Sequence, residues 1–229
     1  MTIIISLLFL SCSTKEGVKI SWTDYNIVGN VKMFSDKILF AKCNDDLVVS
    51  IDTNLSNHTI IQNRYFDKNG LLRNYCYYDK DSVMFLENVY VIVNDEIIGA
   101  NTSNIRESKK EKVEINKINE NLFESKTYNT KSNEIISTSY THRKNGFTYK
   151  QISESKFSDR IHKNKMYFIR NQSGFVTEII DTTIIDNQVF TNKTFVQYLE
   201  FDERKNWTKK IEYSRDSICR VTLRKLEYY

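Results

Sequence analysis

The 229-residue chain contains no proline and six glycines. Its tight turns must therefore be built from Asn, Asp, Ser and Lys, which suit hairpin connections. No apolar stretch is long enough to cross a bilayer as a helix. The uncharged run at residues 2–10 (TIIISLLFL) spans nine residues, about half of the ~20 that a spanning helix needs. The four cysteines lie at positions 12, 43, 76 and 219, and the histidines His58, His142 and His162 stand apart from them and from one another. That spacing offers no C-x-x-C redox pair and no zinc ligand set. The glycines are scattered from Gly17 to Gly174, so neither a phosphate cradle nor a G-x-S-x-G nucleophile elbow can be assembled locally. Excess charge of one sign is also lacking. The 33 Lys and Arg against 29 Asp and Glu leave a net +4, and both signs alternate with apolar residues even in the basic tail at 201–229. A phosphate-tracking groove needs cations on one face with stacking aromatics beside them, so no nucleic-acid partner is expected.

What is present is a chain 40% apolar and 27% charged, ordinary globular usage. Fourteen tyrosines and thirteen phenylalanines accompany many Ile, Val and Thr, which fits a pleated, half-buried surface better than helices. Short alternating runs recur between polar turns. Strands are expected from Ile20 to Ile27 and Val31 to Phe40, around a break at Gly29-Asn30. Asn69-Gly70 and Asn145-Gly146 are expected to close tight hairpins, with Ser173-Gly174 a third, because each tolerates a positive φ. The fold expected is all-β, an antiparallel meander of consecutive hairpins in an extended or half-rolled sheet. Strand alternation sends Trp207, Ile211 and Tyr213 to one face and Thr208, Lys210 and Glu212 to the other. It also puts Cys219, Val221 and Leu223 opposite Arg220, Thr222 and Arg224. Residues 101–112 (NTSNIRESKKEK) lack periodicity and read as an exposed charged loop.

A spacing of twelve links Phe66-Asp67-Lys68-Asn69-Gly70-Leu71 to Tyr78-Asp79-Lys80-Asp81-Ser82-Val83. The same step links Phe201-Asp202 through Asn206-Trp207 to Tyr213-Ser214-Arg215-Asp216-Ser217-Ile218. Over about forty residues this resembles the YD repeats of Rhs-type shell proteins, and also a group of small lipoproteins, mostly from Bacteroidota, built as β-meanders. The resemblance implies stacked hairpins and no particular activity.

The amino terminus carries the most specific motif. After the apolar run comes Phe9-Leu10-Ser11-Cys12, which resembles the lipobox of bacterial lipoproteins, with a small residue at the cleavage position and a cysteine to receive lipid. It departs from that pattern in Phe9, where Leu is usual, and in having no Lys or Arg before the run, so a start a few codons upstream is expected. The resemblance implies a signal peptide at residues 1–11, a lipidated Cys12 with a polar tether to residue 19, and one β-rich domain over 20–229. Of the remaining cysteines, Cys43, Cys76 and Cys219, at most one pair can form a disulfide. One free thiol or three are expected, and apolar strand neighbours at Cys43 and Cys219 favour three.

No catalytic, metal or cofactor site emerges. The function expected is a non-catalytic binding or scaffold lipoprotein of the cell envelope, attached to the bilayer through acylated Cys12 and facing a protein or glycan partner. Two alternatives stand beside it. One is a carboxylate-based glycan hydrolase, whose paired acids would be set by the fold; the other is an envelope immunity lipoprotein acting against a toxin.

Overall fold

The computed structural model describes residues 25–43, 49–50, 59–157, 160–214 and 218–229. The expected signal peptide, Cys12, the tether and the start of the strand expected from Ile20 lie outside these residues, as does His58.

The strands are β1 (Val31–Cys43), β2 (Val49–Ser50), β3 (Ile60–Phe66), β4 (Leu72–Tyr78) and β5 (Met84–Val93). Next come β6 (Glu96–Asn104), β7 (Lys109–Asn119), β8 (Leu122–Asn129), β9 (Ile135–Lys144) and β10 (Phe147–Phe157). The last are β11 (Arg160–Arg170), β12 (Val176–Ile185), β13 (Gln188–Phe201), β14 (Trp207–Tyr213) and β15 (Ile218–Tyr228). From β3 onward each strand pairs antiparallel with the next, and β1 pairs with β3 on one side and β15 on the other. The antiparallel meander is as expected, but the sheet is neither extended nor half-rolled. Pairing from Val31↔Tyr228 to Lys42↔Ile218 closes every strand except the short β2 into a barrel. Closure satisfies the two rows of backbone donors and acceptors that an open meander would leave at its edges.

Three of the recurring sequences turn out to be hairpin connectors, while the unit from Tyr213 to Ile218 runs through residues 215–217, outside the described residues. Asp67 Oδ1 accepts the N–H groups of Asn69 and Leu71, Asp79 Oδ1 those of Asp81 and Val83, and Asp202 Oδ1 those of Arg204 and Asn206. In each the fourth residue takes a left-handed conformation: Gly70 at φ 80°, Ser82 at 62° and Lys205 at 65°. Asn171 caps a fourth such turn, with Gly174 at φ 82°. Asn69-Gly70 therefore belongs to a longer capped turn. Asn145-Gly146 forms the two-residue hairpin expected of it, with both residues at positive φ, as type I′ turns require. Asn94-Asp95 and Asp186-Asn187 do the same without glycine.

Residues 101–112 form a hairpin with an exposed turn at 105–108 rather than a long loop. Asn101 to Asn104 finish β6, and Lys109 to Lys112 open β7, paired from Asn104↔Lys109 to Asn101↔Lys112. The stretch lacks an apolar period because both faces of the wall are polar there. Gly99 is needed just before it, since a Cβ at that position would stand 2.4 Å from the Val113 carbonyl oxygen.

Alternation along the strands sorts side chains between lumen and outer wall. The outer wall carries charge at mid-strand, in the pairs Lys112–Glu114 at 2.9 Å, Lys126–Glu124 at 3.0 Å, Lys163–Glu154 at 3.1 Å and Lys193–Glu178 at 2.8 Å. Among the described residues no helix is long and apolar enough to cross a membrane. One outward cluster is shielded from solvent, made of Ala41, Ile211, Cys219 and Val221 with Leu39 and Tyr213 against it. Cys219 is disulfide-bonded, while Cys76 is a buried free thiol. The expectation of three free thiols is thereby corrected.

A second apolar cluster fills one end of the barrel: Ile27, Val31, Phe34, Phe66, Leu71, Leu72, Ile97 and Phe123. Residues 25–30 are not strand but cross this mouth. Tyr25 packs edge-on against Phe34 and Phe66 at 5.2 and 5.9 Å between ring centroids, and Asn26 donates to the Gly174 carbonyl at 3.0 Å. The segment plugs the end of the barrel toward which the chain's last strand also runs.

Candidate functional site

Beside this plug, inward side chains of β1, β3, β14 and β15 surround a chamber of about 310 Å³. Its centre is an ion pair across the strands that close the barrel. Arg224 donates Nε to Asp36 Oδ1 at 2.6 Å and Nη2 to Asp36 Oδ2 at 2.7 Å. Both residues are nearly inaccessible to solvent, and the pairing Asp36↔Arg224 places them directly opposite. Such a bidentate geometry is what makes a buried ion pair tenable, since a carboxylate or guanidinium stripped of water without a partner costs several kcal/mol.

Arg64 approaches the same carboxylate from β3 at 3.4 Å and donates to the Tyr75 hydroxyl at 3.0 Å and to Gln62 at 3.2 Å. Its Nε is buried without an acceptor. The guanidinium planes are held by aromatic faces: Arg224 lies 3.6 Å from the Trp207 ring centroid and 4.0 Å from that of Phe34, and Arg64 lies 4.1 Å from that of Tyr75. Cation–π attraction is worth more in a desolvated setting like this than at a surface.

The second carboxylate is Glu212, bonded to Lys210 at 2.7 Å and to Arg220 at 3.1 Å. Burial works against its charge, but Lys210 and Arg220 outweigh it and hold the carboxyl below its ordinary range. Burial also pushes the Tyr198 hydroxyl up to about 12, so it stays protonated at neutral pH. Arg170 reaches in from β11 and spends its donors on the carbonyls of Gly174 and Thr148.

The expected register of β14 is half right. Lys210 and Glu212 face the lumen together while Ile211 and Tyr213 face outward. Trp207 does not join Ile211, however. It pairs with Phe201 while Lys209 pairs with Glu200, so Thr208 is an extra residue, a β-bulge that turns Trp207 inward beside Lys210 and Arg224. In β15 the alternation is as expected, but the apolar set Cys219, Val221, Leu223 faces outward and the set Arg220, Thr222, Arg224 lines the lumen. Neither the ion pair nor its aromatic clamp was identifiable from sequence spacing, because Asp36 and Arg224 stand 188 positions apart.

Beyond the plug a larger cavity of about 620 Å³ is lined by Tyr25, Tyr75, Tyr77, Arg143 and Gln151. Tyr75 and Tyr77 thus face the lumen. His142 and His162 lie on different strands, and among the described residues no group of metal-ligating side chains comes together. The site residue expected from sequence, Cys12, lies outside the described residues.

No family model and no curated protein sequence matches the chain. Among solved structures it is similar to a porin-like protein from Bacteroides uniformis at 10% identity, covering 86% of this chain and 96% of that one with a TM-score of 0.47. A porin-like protein from Bacteroides vulgatus aligns at 9% identity over 88% and 99%, with a TM-score of 0.41. At these scores the likeness assigns no function.

Proposed function

We propose that the chain is a non-catalytic binding lipoprotein of the cell envelope, tethered through acylated Cys12, whose barrel stands in water and receives its ligand in the lumen. The observation that carries the binding role is how the two carboxylates of the chamber are engaged. A glycan hydrolase needs one carboxyl kept protonated to act as acid. Here Asp36 is clamped by Arg224 and Glu212 is held ionised by Lys210 and Arg220. Both carboxylates of the chamber are thus engaged by cations, which disfavours the hydrolase alternative.

The outer wall argues against the barrel being its own membrane anchor. Each Lys presented to lipid at the bilayer midplane costs about 2–4 kcal/mol, and Lys112, Lys126, Lys163 and Lys193 all lie mid-strand on that wall. The nine-residue run ending at Ser11-Cys12 supports a lipid tether instead, and two or more acyl chains make such attachment stable. Fractionation tests this reading. The wild-type chain is expected in the membrane fraction and labelled by a fatty-acid analogue, and Cys12→Ala is expected in the soluble fraction, unlabelled and still folded. A Cys12→Ala protein that remains in the membrane fraction would overturn it.

A further inference from the structure

We infer that the lumenal chamber between β1, β3, β14 and β15 is an oxyanion-binding site, taking a small molecule through a carboxylate or phosphate group. This rests on the binding role proposed above and gives it a ligand class.

The argument is one of charge balance in a confined space. Four cationic side chains of the chamber, Arg64, Lys210, Arg220 and Arg224, stand against two carboxylates, Asp36 and Glu212. Arg224 satisfies Asp36 in bidentate fashion, so Arg64, with one contact to that carboxylate at 3.4 Å, is left largely uncompensated. Its Nε is buried with no acceptor. Lys210 and Arg220 share the single charge of Glu212. Cations withdrawn from water in excess of their partners carry a desolvation cost that an entering anion would relieve.

The fixed forks of arginine match the planar or tetrahedral oxygens of carboxylate and phosphate. A volume of about 310 Å³ admits a small molecule and not a polymer segment. Arg220 is the half-exposed member of the set. It lies near the start of β15, away from the plugged mouth.

Isothermal titration of the detergent-solubilised full chain with inorganic phosphate and, separately, with benzoate, against a sodium chloride control at matched ionic strength, tests the inference. Saturable one-to-one binding of phosphate alone assigns the phosphate class, of benzoate alone the carboxylate class, and of both a general oxyanion site. Arg220→Gln is expected to weaken binding about tenfold, the loss of one charge-assisted hydrogen bond. Glu212→Gln is expected to tighten it, since it removes a competing anion. Circular dichroism checks that both variants keep the β signature, and Lys210→Met, also expected to weaken binding, replaces any variant that does not. Titrations indistinguishable from chloride would overturn the inference, as would folded charge variants that leave affinity unchanged or move it the same way. A silent titration with the expected Cys12→Ala fractionation would sink the oxyanion site and leave the envelope reading standing.

Discussion

The side chain of Asn206 pairs with the backbone of Val28 in both directions, accepting its N–H at 2.6 Å and donating to its carbonyl at 3.0 Å. The same amide donates to the Tyr228 hydroxyl at 2.8 Å, which in turn donates to Asp202 at 2.6 Å. One almost fully buried residue thus latches the segment across the barrel mouth to the β13–β14 turn and to the last strand.

Removing that amide takes the partner from the part-buried N–H and carbonyl of Val28 and from the Tyr228 hydroxyl. Each unsatisfied group costs about 1–3 kcal/mol, so Asn206→Ala is expected to destabilise the protein by about 2–5 kcal/mol. Urea unfolding followed by tryptophan fluorescence would measure it. A cost near zero would mean that the plug is held by the packing of Ile27 and Tyr25 alone.

The buried pair Asp36–Arg224 yields a paired test. Asp36→Ala leaves Arg224 desolvated and uncompensated, a change expected to cost about 3–5 kcal/mol. Adding Arg224→Leu removes the stranded cation as well, so the double variant is expected to be more stable than Asp36→Ala. A double variant less stable than either single change would show that Arg224 is held by Trp207 and Phe34 more than by the carboxylate.

Acid should loosen the barrel from the carboxylates outward. At Asp202 burial opposes the charge, but the Tyr228 hydroxyl and the Asn206 and Arg204 donors outweigh it, and at Asp67 the Leu71 and Asn69 N–H groups and Arg73 do the same. Glu212 is likewise held low by its two cations. All three folded values lie below the ordinary 3.8 for Asp and 4.5 for Glu. Their stabilisation is thus complete above those values and is lost as pH falls through the folded ones. The urea midpoint is expected to hold between pH 7 and 5 and to drop below about pH 4. Asp202→Asn should make that drop shallower, and an unchanged acid limb would remove Asp202 from the account.

The thiols separate cleanly. Burial first, and then the Glu87 carboxylate, push the Cys76 thiol up, so it should resist alkylation in the native protein and react on unfolding. Peptide mapping without reduction should find Cys219 in a disulfide-linked peptide and Cys76 unlinked. Reducing the Cys219 bridge is expected to cost about 2–4 kcal/mol.

Much of the local structure was legible in the sequence. Asn145-Gly146 closes β9 onto β10, and Asp67, Asp79 and Asp202 cap turns whose spacing produced the apparent repeat. Those signals are short-range: a turn is decided by which residues tolerate a positive φ and by side chains that reach their own backbone. Closure was not legible, since it depends on β1 meeting β15 across nearly the whole chain. Nor was the sense of the two faces. Arg220, Thr222 and Arg224 alternate with apolar residues as they would on a solvated strand face. A barrel with a polar chamber inside reverses the usual rule and puts that face in the lumen. The stretch 101–112 misled for a related reason, because both faces of the wall are polar there and leave no apolar period to detect.

Trp207 is where local alternation and tertiary structure part, and the difference can be measured. The bulge at Thr208 turns the indole inward, where it covers Arg224 and meets Tyr198 edge-on at 5.7 Å between ring centroids. Trp207→Ala should therefore remove both a buried aromatic side chain and the stacking face of a buried guanidinium, at an expected cost of about 3–5 kcal/mol. Trp207→Phe keeps a ring over Arg224 and should recover more than half of that loss. Lys210→Ala, on the same inward face, leaves Glu212 still paired to Arg220 and is expected to cost about 1–2 kcal/mol. Deleting Thr208 provides the register test: without the extra residue Trp207 would rotate to the outer wall, and its fluorescence maximum should shift to the red as the indole meets water. A Thr208 deletion that keeps both the blue-shifted emission and wild-type stability would show that the bulge does not set the direction of Trp207.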